Sequence, residues 1–323
     1  MNILEVSGYF KKDTVMIFKE IVKSKGEKLR PVFNELFDLI IKNQSHPGDL
    51  LIVNENGFYN PDVLTWDNLD RKLLPYLIGP NDEGHSEIDH HKFILAYLNS
   101  YECKITHDEY LKEVKYDPKQ KDKVDQFLLL EKFSIQLEML VYLKIWEADL
   151  FIKRFYQLAR LLNGEEYDWH FKILESNRDK DSTGTRQEII RNKIRKRFEQ
   201  PLPKLFKAFQ NSYITQIRNA IAHSKYSFMN RYIHLNNFIK GDNSSQLHSL
   251  KFDDWIDKFH ETVILYNEYI RFFNKVNSHY AEIAKKNNNL VEVKINMRVP
   301  KEKIEYRFME YRPEWNDFKV KLD

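Results

Sequence analysis

The stretch Ile217-Arg218-Asn219-Ala220-Ile221-Ala222-His223-Ser224-Lys225-Tyr226 sets an arginine, an asparagine and a histidine inside an otherwise apolar helical pattern. Ile214, Ile217 and Ile221 recur at helical spacing, which predicts a stripe facing a core. Asn219 and His223 are four apart and share a helix face, so the carboxamide can orient the imidazole and fix its tautomer. Arg218 and His223 are five apart, about 140° around an ideal axis. One regular helix does not aim both at a single phosphate. Either the helix ends near Ala222 and releases His223, or two copies of the helix face each other so that arginine and histidine from different chains converge. Ala220 and Ala222 are small enough to permit that approach.

These residue types suit RNA cleavage without a metal. A base takes the proton of the ribose 2′-OH, which attacks phosphorus; an acid protonates the departing 5′-oxygen; a cation stabilises the phosphorane. Histidine suits both proton transfers because it titrates near neutrality. Arginine keeps its charge and donates in a fork that fits phosphate. The expected products carry 2′,3′-cyclic phosphate and 5′-OH ends. Arg191-Asn192 is an internal control: the same dipeptide recurs, but Lys196 stands where the histidine belongs.

The run Arg218-Asn219-Ala220-Ile221-Ala222-His223 resembles the R-N-x-x-x-H signature of HEPN ribonucleases. The order of elements over roughly 124–287 is also similar: two long helices, an insert, the motif helix, a short hairpin and a further long helix. The resemblance implies a helical bundle that forms a homodimer through the motif helix, with a metal-independent endoribonuclease site at the seam and no cofactor. It assigns acid–base work to His223, phosphorane stabilisation to Arg218 and positioning to Asn219. Such domains serve as toxins or as effectors of anti-phage defence. A related subgroup has a modifiable tyrosine two residues after the histidine; here Lys225 holds that place and Tyr226 follows. Other HEPN domains bind nucleotides or partners without cutting, which is the alternative function.

Composition bounds the setting. The chain has 323 residues, 42% of them hydrophobic and 14% aromatic, with only 9 Gly and 10 Pro, which favours a mainly α fold. A net charge of +3 announces no nucleic-acid binder in bulk, although a local basic patch remains open. Cys103 is the sole cysteine, so neither an internal disulfide nor a Cys-based zinc site is expected, in keeping with a reducing cytoplasm. The start Met1-Asn2-Ile3-Leu4-Glu5 lacks a signal-peptide pattern, and no apolar run reaches 18 residues, so no membrane partner is expected.

Residues 1–118 read as a mostly helical module. Asp13 caps a helix over Thr14–Lys25, a second spans Lys28–Lys42, and Leu50–Tyr59 forms a hairpin about Asn54-Glu55-Asn56-Gly57. Further helices are expected near Trp66–Ile78 and His90–Tyr101. A regulatory ligand or partner would act on this module. The polar run Asp117–Lys123 joins it to a domain over 124–287, whose apolar stretch Val124–Leu162 makes one or two helices and ends at Asn163-Gly164. A polar loop at 175–185 precedes a basic helix, Arg186–Phe198, in which Arg191, Lys193, Arg195, Lys196 and Arg197 can track an RNA backbone. Lys225 and Tyr226 can hold a phosphate and stack a base. The motif helix runs from about Lys204 to Ala222. A hairpin turning at Met229-Asn230-Arg231 and a long amphipathic helix, Phe252–Lys286, follow. Residues 288–323 alternate and predict a C-terminal two-stranded hairpin. His85, Glu87, Asp89, His90 and His91 are metal-ligand types without a ligand spacing. Glu138, Glu147 and Asp149 lie on the long helical stretch, where they can support Arg218 or, as most such acids are, be simply solvated or salt-bridged.

Overall fold

The computed structural model describes residues 17–60, 76–78, 82–100, 105–115, 117–175, 182–243, 245–297 and 303–321. Asp13, Thr14, residues 66–75, Cys103 and 176–181 lie outside them. The described chain is mainly helical, with small antiparallel sheets. No helix among the described residues is long and apolar enough to cross a membrane. Two compact units emerge. Unit 1 comprises Met1–Arg30, Asp89–Glu147 and Lys207–Asn267; unit 2 comprises Pro31–Ile88, Ala148–Phe206 and Glu268–Asp323. Both therefore take residues from either side of the join at 117–123.

Several local expectations are corrected. The two helices expected over Thr14–Lys25 and Lys28–Lys42 are one helix, α1, Lys19–Asn43, with Pro31 inside it. Proline removes one backbone donor, and the stripe Leu29, Val32, Phe33, Leu36, Phe37 and Ile40 is buried on both sides of it. Leu50–Tyr59 is not a hairpin. It holds a short helix, α2 (Asp49–Asn54), and then β1 (Phe58–Tyr59), which pairs with β2 (Tyr76–Leu77). Leu50, Leu51, Ile52 and Val53 are all buried, and such a continuous apolar run does not distinguish helix from strand. Asn56-Gly57 ends the helix instead of turning a hairpin. Asn56 takes a left-handed φ of 51°, and the Gly57 N–H donates back to the Ile52 carbonyl at 3.1 Å. The helix expected near His90–Tyr101 is α3, Asp82–Ser100, and residues 76–77, expected at the end of a helix, are strand.

In unit 1, α4 (His107–Glu113) opens with a capping box between Thr106 and Glu109. Asp117 caps the 3-10 turn Pro118–Gln120, which runs directly into α5 (Lys121–Trp146). The apolar stretch from Val124 is thus two helices, α5 and, in unit 2, α6 (Asp149–Leu162). The single motif helix expected over Lys204–Ala222 is broken into α7 (Pro203–Ser212) and α8 (Thr215–Ala222), because Ile214 is extended (φ −122°, ψ 113°). Buried Tyr142 makes the break tenable. Its hydroxyl donates to the Ser212 carbonyl (3.0 Å) and accepts from the Ile214 N–H (3.4 Å), serving backbone groups that the helix no longer serves. Tyr213 packs on Trp146, ring centroids 4.9 Å apart.

β3 (Tyr226–Met229) and β4 (Tyr232–Leu235) form the expected hairpin. Asn230 (φ 49°) and Arg231 (φ 57°) supply the two left-handed positions of a type I′ turn. β5 (Ser249–Lys251) adds a third strand and leads into α9, Phe252–Lys286.

His260 on α9 is 1% exposed. Its Nε2 accepts from the Phe18 N–H at 2.9 Å, and its Nδ1 lies 2.7 Å from the Ile256 carbonyl, an arrangement that fits only the neutral ring. Burial lowers its pKa to about 4, helped by Lys25 and His107 and opposed by the Ile256 carbonyl and Asp257. A depressed histidine contributes stability that is complete above the unfolded value near 6.5 and is lost as pH falls through 4. Thermal melts are expected to lose about 3 kcal/mol over that window. His260→Gln should remove this acid limb; an identical limb in that variant would refute the assignment.

Unit 2 packs Phe33 against Phe155 (6.3 Å) and Phe272 (6.1 Å), with Phe155 on Tyr269 (5.6 Å). The C-terminal segment is a three-stranded meander rather than a two-stranded hairpin: β6 (Leu290–Met297), β7 (Lys303–Arg312) and β8 (Asp317–Val320). The extra strand is only four residues long, and buried Phe318 pins it against Tyr311 at 5.1 Å.

Candidate functional site

α8 carries the motif at the surface of unit 1. Ile217 and Ile221 are buried, as is Ala220, so Ala220 belongs to the core and offers no surface to a second copy. Asn219 and Arg218 are half-buried, and Ala222 to Lys225 are exposed.

The helix ends at Ala222, which places His223 at the cap. The Lys225 N–H donates to the Ala220 carbonyl (2.7 Å) and the Ser224 N–H to the Ile221 carbonyl (3.2 Å), with Ser224 left-handed at φ 52°. This is the bonding of a Schellman cap, with serine in place of the usual glycine. The His223 imidazole stands in solvent beyond the last turn, without a hydrogen-bond partner among the described residues. Ser224→Gly is expected to raise the unfolding free energy by about 1 kcal/mol, because a left-handed L-residue is strained there. An unchanged urea midpoint would contradict the strain.

Arg218 is fixed from two sides. Its Nε donates to Glu147 Oε1, and its Nη1 donates to Asn219 Oδ1 at 2.8 Å. The hydrogen bond to Glu147 raises the arginine pKa, so the cation is permanent. Glu147 is the C-cap residue of α5. The Asn219 carboxamide oxygen is therefore turned to Arg218 and not to the imidazole. The link from Asn219 to His223 is through backbone, His223 N–H to Asn219 carbonyl at 3.1 Å. No described residue accepts from Arg218 Nη2, so its N–H groups are the ones left for an incoming oxyanion.

Of the three acids placed to support Arg218, only Glu147 does so. Glu138 is fully buried, accepting from Trp255 Nε1 (2.7 Å) and Ser134 Oγ (2.8 Å). Asp149 pairs with Arg186 at 2.5 Å within unit 2. Lys225 is exposed, and its carbonyl accepts from the Asn236 N–H (2.9 Å). Tyr226 is half-buried, its hydroxyl pKa raised by burial, and its ring packs on Phe228 at 5.5 Å.

The basic segment belongs to unit 2 and is not a regular helix. One α turn (Arg186–Glu188) passes into a π segment (Ile189–Ile194) and a 3-10 turn (Arg195–Phe198). Ile189, Ile190, Ile194 and Phe198 are buried, and the segment turns this face inward while its winding changes from α to π to 3-10. Lys193 donates to the Thr183 carbonyl, Arg197 pairs with Glu165, and Arg195 lies over the Phe206 ring at 6.0 Å. Arg191 and Lys196 have no acidic partner among the described residues. Of the five cations expected to track a phosphate backbone, Arg197 is held by an acid, while Lys193 on a neutral carbonyl and Arg195 on a ring keep their charge uncompensated by those contacts.

Among the described residues no group of three or more His, Cys, Asp or Glu side chains is arranged to hold a metal ion. His91 is taken up by Tyr266, Nδ1 to hydroxyl 2.7 Å. No family model, curated protein or solved structure matches this chain.

Sequence reasoning missed Arg231, which lies in the turn after the motif. Its Nη2 donates to Glu131 Oε1 (2.8 Å), to Asp253 (2.7 Å) and to the Tyr110 hydroxyl (3.3 Å). The only signal for it was a charged residue at a turn position that glycine or asparagine usually holds.

Proposed function

We propose that the protein is a metal-independent endoribonuclease in which His223 moves protons and Arg218 stabilises the phosphorane. The observations that carry the reading are an arginine fixed by Glu147 and Asn219, with no described acceptor at Nη2, and a solvent-exposed histidine released by the helix end on the same short helix. The ribose 2′-oxygen bonds to phosphorus as its proton passes to an imidazole. The bond to the 5′-oxygen breaks as that oxygen takes a proton from an imidazolium. Each chain carries one such histidine, so base and acid come from the two copies of a homodimer. Asn219 acts here on Arg218, accepting from Nη1 and so fixing the direction of its fork.

A homodimer draws support from α5. Leu129, Phe133, Leu140 and Leu143 recur at heptad spacing, with Glu147 next in the series, and Leu129 and Leu140 are 44% and 52% exposed. A cytoplasmic toxin or defence effector is the setting that fits such an enzyme. The experiment is incubation of parent and His223→Ala proteins with RNA in EDTA, with end-group analysis. Cleavage that leaves cyclic phosphate and depends on His223 supports the reading. Equal cleavage by both proteins, or none by either, overturns it.

One observation favours the second reading, a binding module that does not cut. The Arg218 charge is already paired with Glu147. Under that reading the motif would hold a nucleotide or partner, and the parent protein would bind RNA without producing new ends.

A further inference from the structure

The alternation of β7 is inverted over its first half. Ile304, Tyr306 and Phe308 point outward and are 50%, 55% and 45% exposed, while Met309 and Tyr311 on the other face are buried. The inward positions before them are charged, Glu305 and Arg307. These are satisfied internally: the Tyr76 hydroxyl donates to Glu305 (2.8 Å), and Arg307 donates to the Tyr76 oxygen (3.2 Å) and to Glu305 (2.5 Å). The Tyr306 ring meets His46, centroids 5.8 Å apart, yet stays more than half exposed; a strand that keeps its charges inside and three large apolar side chains outside calls for something to cover them.

The charges that share this outer face follow from the register. Lys294 stands across from Tyr306 and Glu292 across from Phe308 on β6; Lys319 stands across from Glu310 on β8. Lys321 continues β8 and donates its N–H to the Phe308 carbonyl at 2.8 Å, which sets it beside that ring. Lys294 is paired with Glu166; Lys319 and Lys321 are exposed and make no ion pair among the described residues, although Glu310 faces Lys319 across the strands. Trp315, on the β7–β8 turn, is 71% exposed.

We infer that the outer face of the β6–β7–β8 sheet binds single-stranded RNA, with bases stacking on Tyr306 and Phe308 and phosphates held by Lys319 and Lys321. Rings at i and i+2 of a strand are about 7 Å apart, enough to seat a base on each. Flat aromatic faces beside lysines are the recognition chemistry of unpaired nucleic acid, and a duplex keeps its base faces hidden. A second copy of the chain fits less well, because the core of a protein–protein interface is depleted of the lysines that stand beside these rings. The inference rests on RNA being the ligand of the proposed nuclease and adds where the strand lies on unit 2.

The test is fluorescence anisotropy of the full chain with a labelled 2′-O-methyl oligouridine, which lacks the attacking hydroxyl, so binding is read without cleavage. Tyr306→Ala with Phe308→Ala should weaken binding at least about tenfold, and Tyr306→Phe should retain it. Lys319→Ala with Lys321→Ala should flatten the log–log salt slope by about 1.4. Absence of binding by the parent, or equal affinity of the double-alanine variant at an unchanged melting temperature, overturns the inference. So does equal binding of duplex RNA. A dimer lost on sedimentation, with RNA affinity intact, would assign the face to a second copy. Cleavage of ordinary RNA by the parent is scored separately, so either idea can fail alone.

Discussion

His223→Ala is expected to lower RNA cleavage in EDTA by a factor of about 10²–10⁴, the usual worth of a positioned acid–base group. The variant is informative because its structural cost is small. The imidazole is exposed and carries no described contact, and the backbone bonds of the cap do not involve the side chain. Stability should stay within about 0.5 kcal/mol of the parent, as for an ordinary surface change. Lost cleavage at unchanged stability therefore reports chemistry. Arg218→Ala is a poorer probe, since it also strips Glu147 of its ion pair. Arg218→Lys separates the two effects, because lysine keeps the charge but lacks the fork. Cleavage by His223→Ala at the parent rate would sink the proposed mechanism.

Arg231→Ala should destabilise unit 1 by about 3–5 kcal/mol, the cost of leaving one member of a buried ion pair behind. Glu131 is 0% exposed, and burial raises its pKa even with Arg231 beside it. Removing the guanidinium leaves a carboxyl that can relieve its charge only by taking a proton. A raised carboxyl favours the folded state at low pH and loses that contribution as pH rises through its folded value. The deficit in urea unfolding should thus be largest at pH 7.5 and smaller at pH 5. Arg231→Ala together with Glu131→Gln should recover part of the loss. A deficit below 1 kcal/mol at both pH values would show that the pair carries little stability.

How much of this was legible depends on how far apart the deciding residues lie. The helical character, the hairpin at Asn230-Arg231 and the long helix Phe252–Lys286 follow from local pattern, because period and turn chemistry are written within a few residues. The end of α8 was readable only as one of two alternatives. Serine at the left-handed cap position gives no signal comparable to glycine. Asn56-Gly57 did give a turn signal, but the same dipeptide that turns a hairpin also closes a helix, and the buried run before it chose the helix. The basic segment kept its composition and lost its regularity, and its apolar spacing, which also suits a regular helix, gave no sign of the change in winding. Glu147 could be named beside Glu138 and Asp149, but not singled out, because its selection depends on where α5 ends. Glu131 and Arg231 are 100 residues apart, and nothing local announces them.

The phenol of Tyr142 adds one more consequence. It stands about 70 positions before the bend at Tyr213-Ile214 and holds both backbone groups freed there. The direction in which the motif leaves the bend is thus encoded partly in a distant helix, and the motif is not portable. A peptide spanning 203–226, or the same segment grafted onto another helical scaffold, would carry every residue of the signature and still lack the oxygen that sets its course. Substitutions at 142 and at 212–214 should accordingly be tolerated or rejected together, as one inherited unit rather than as independent sites.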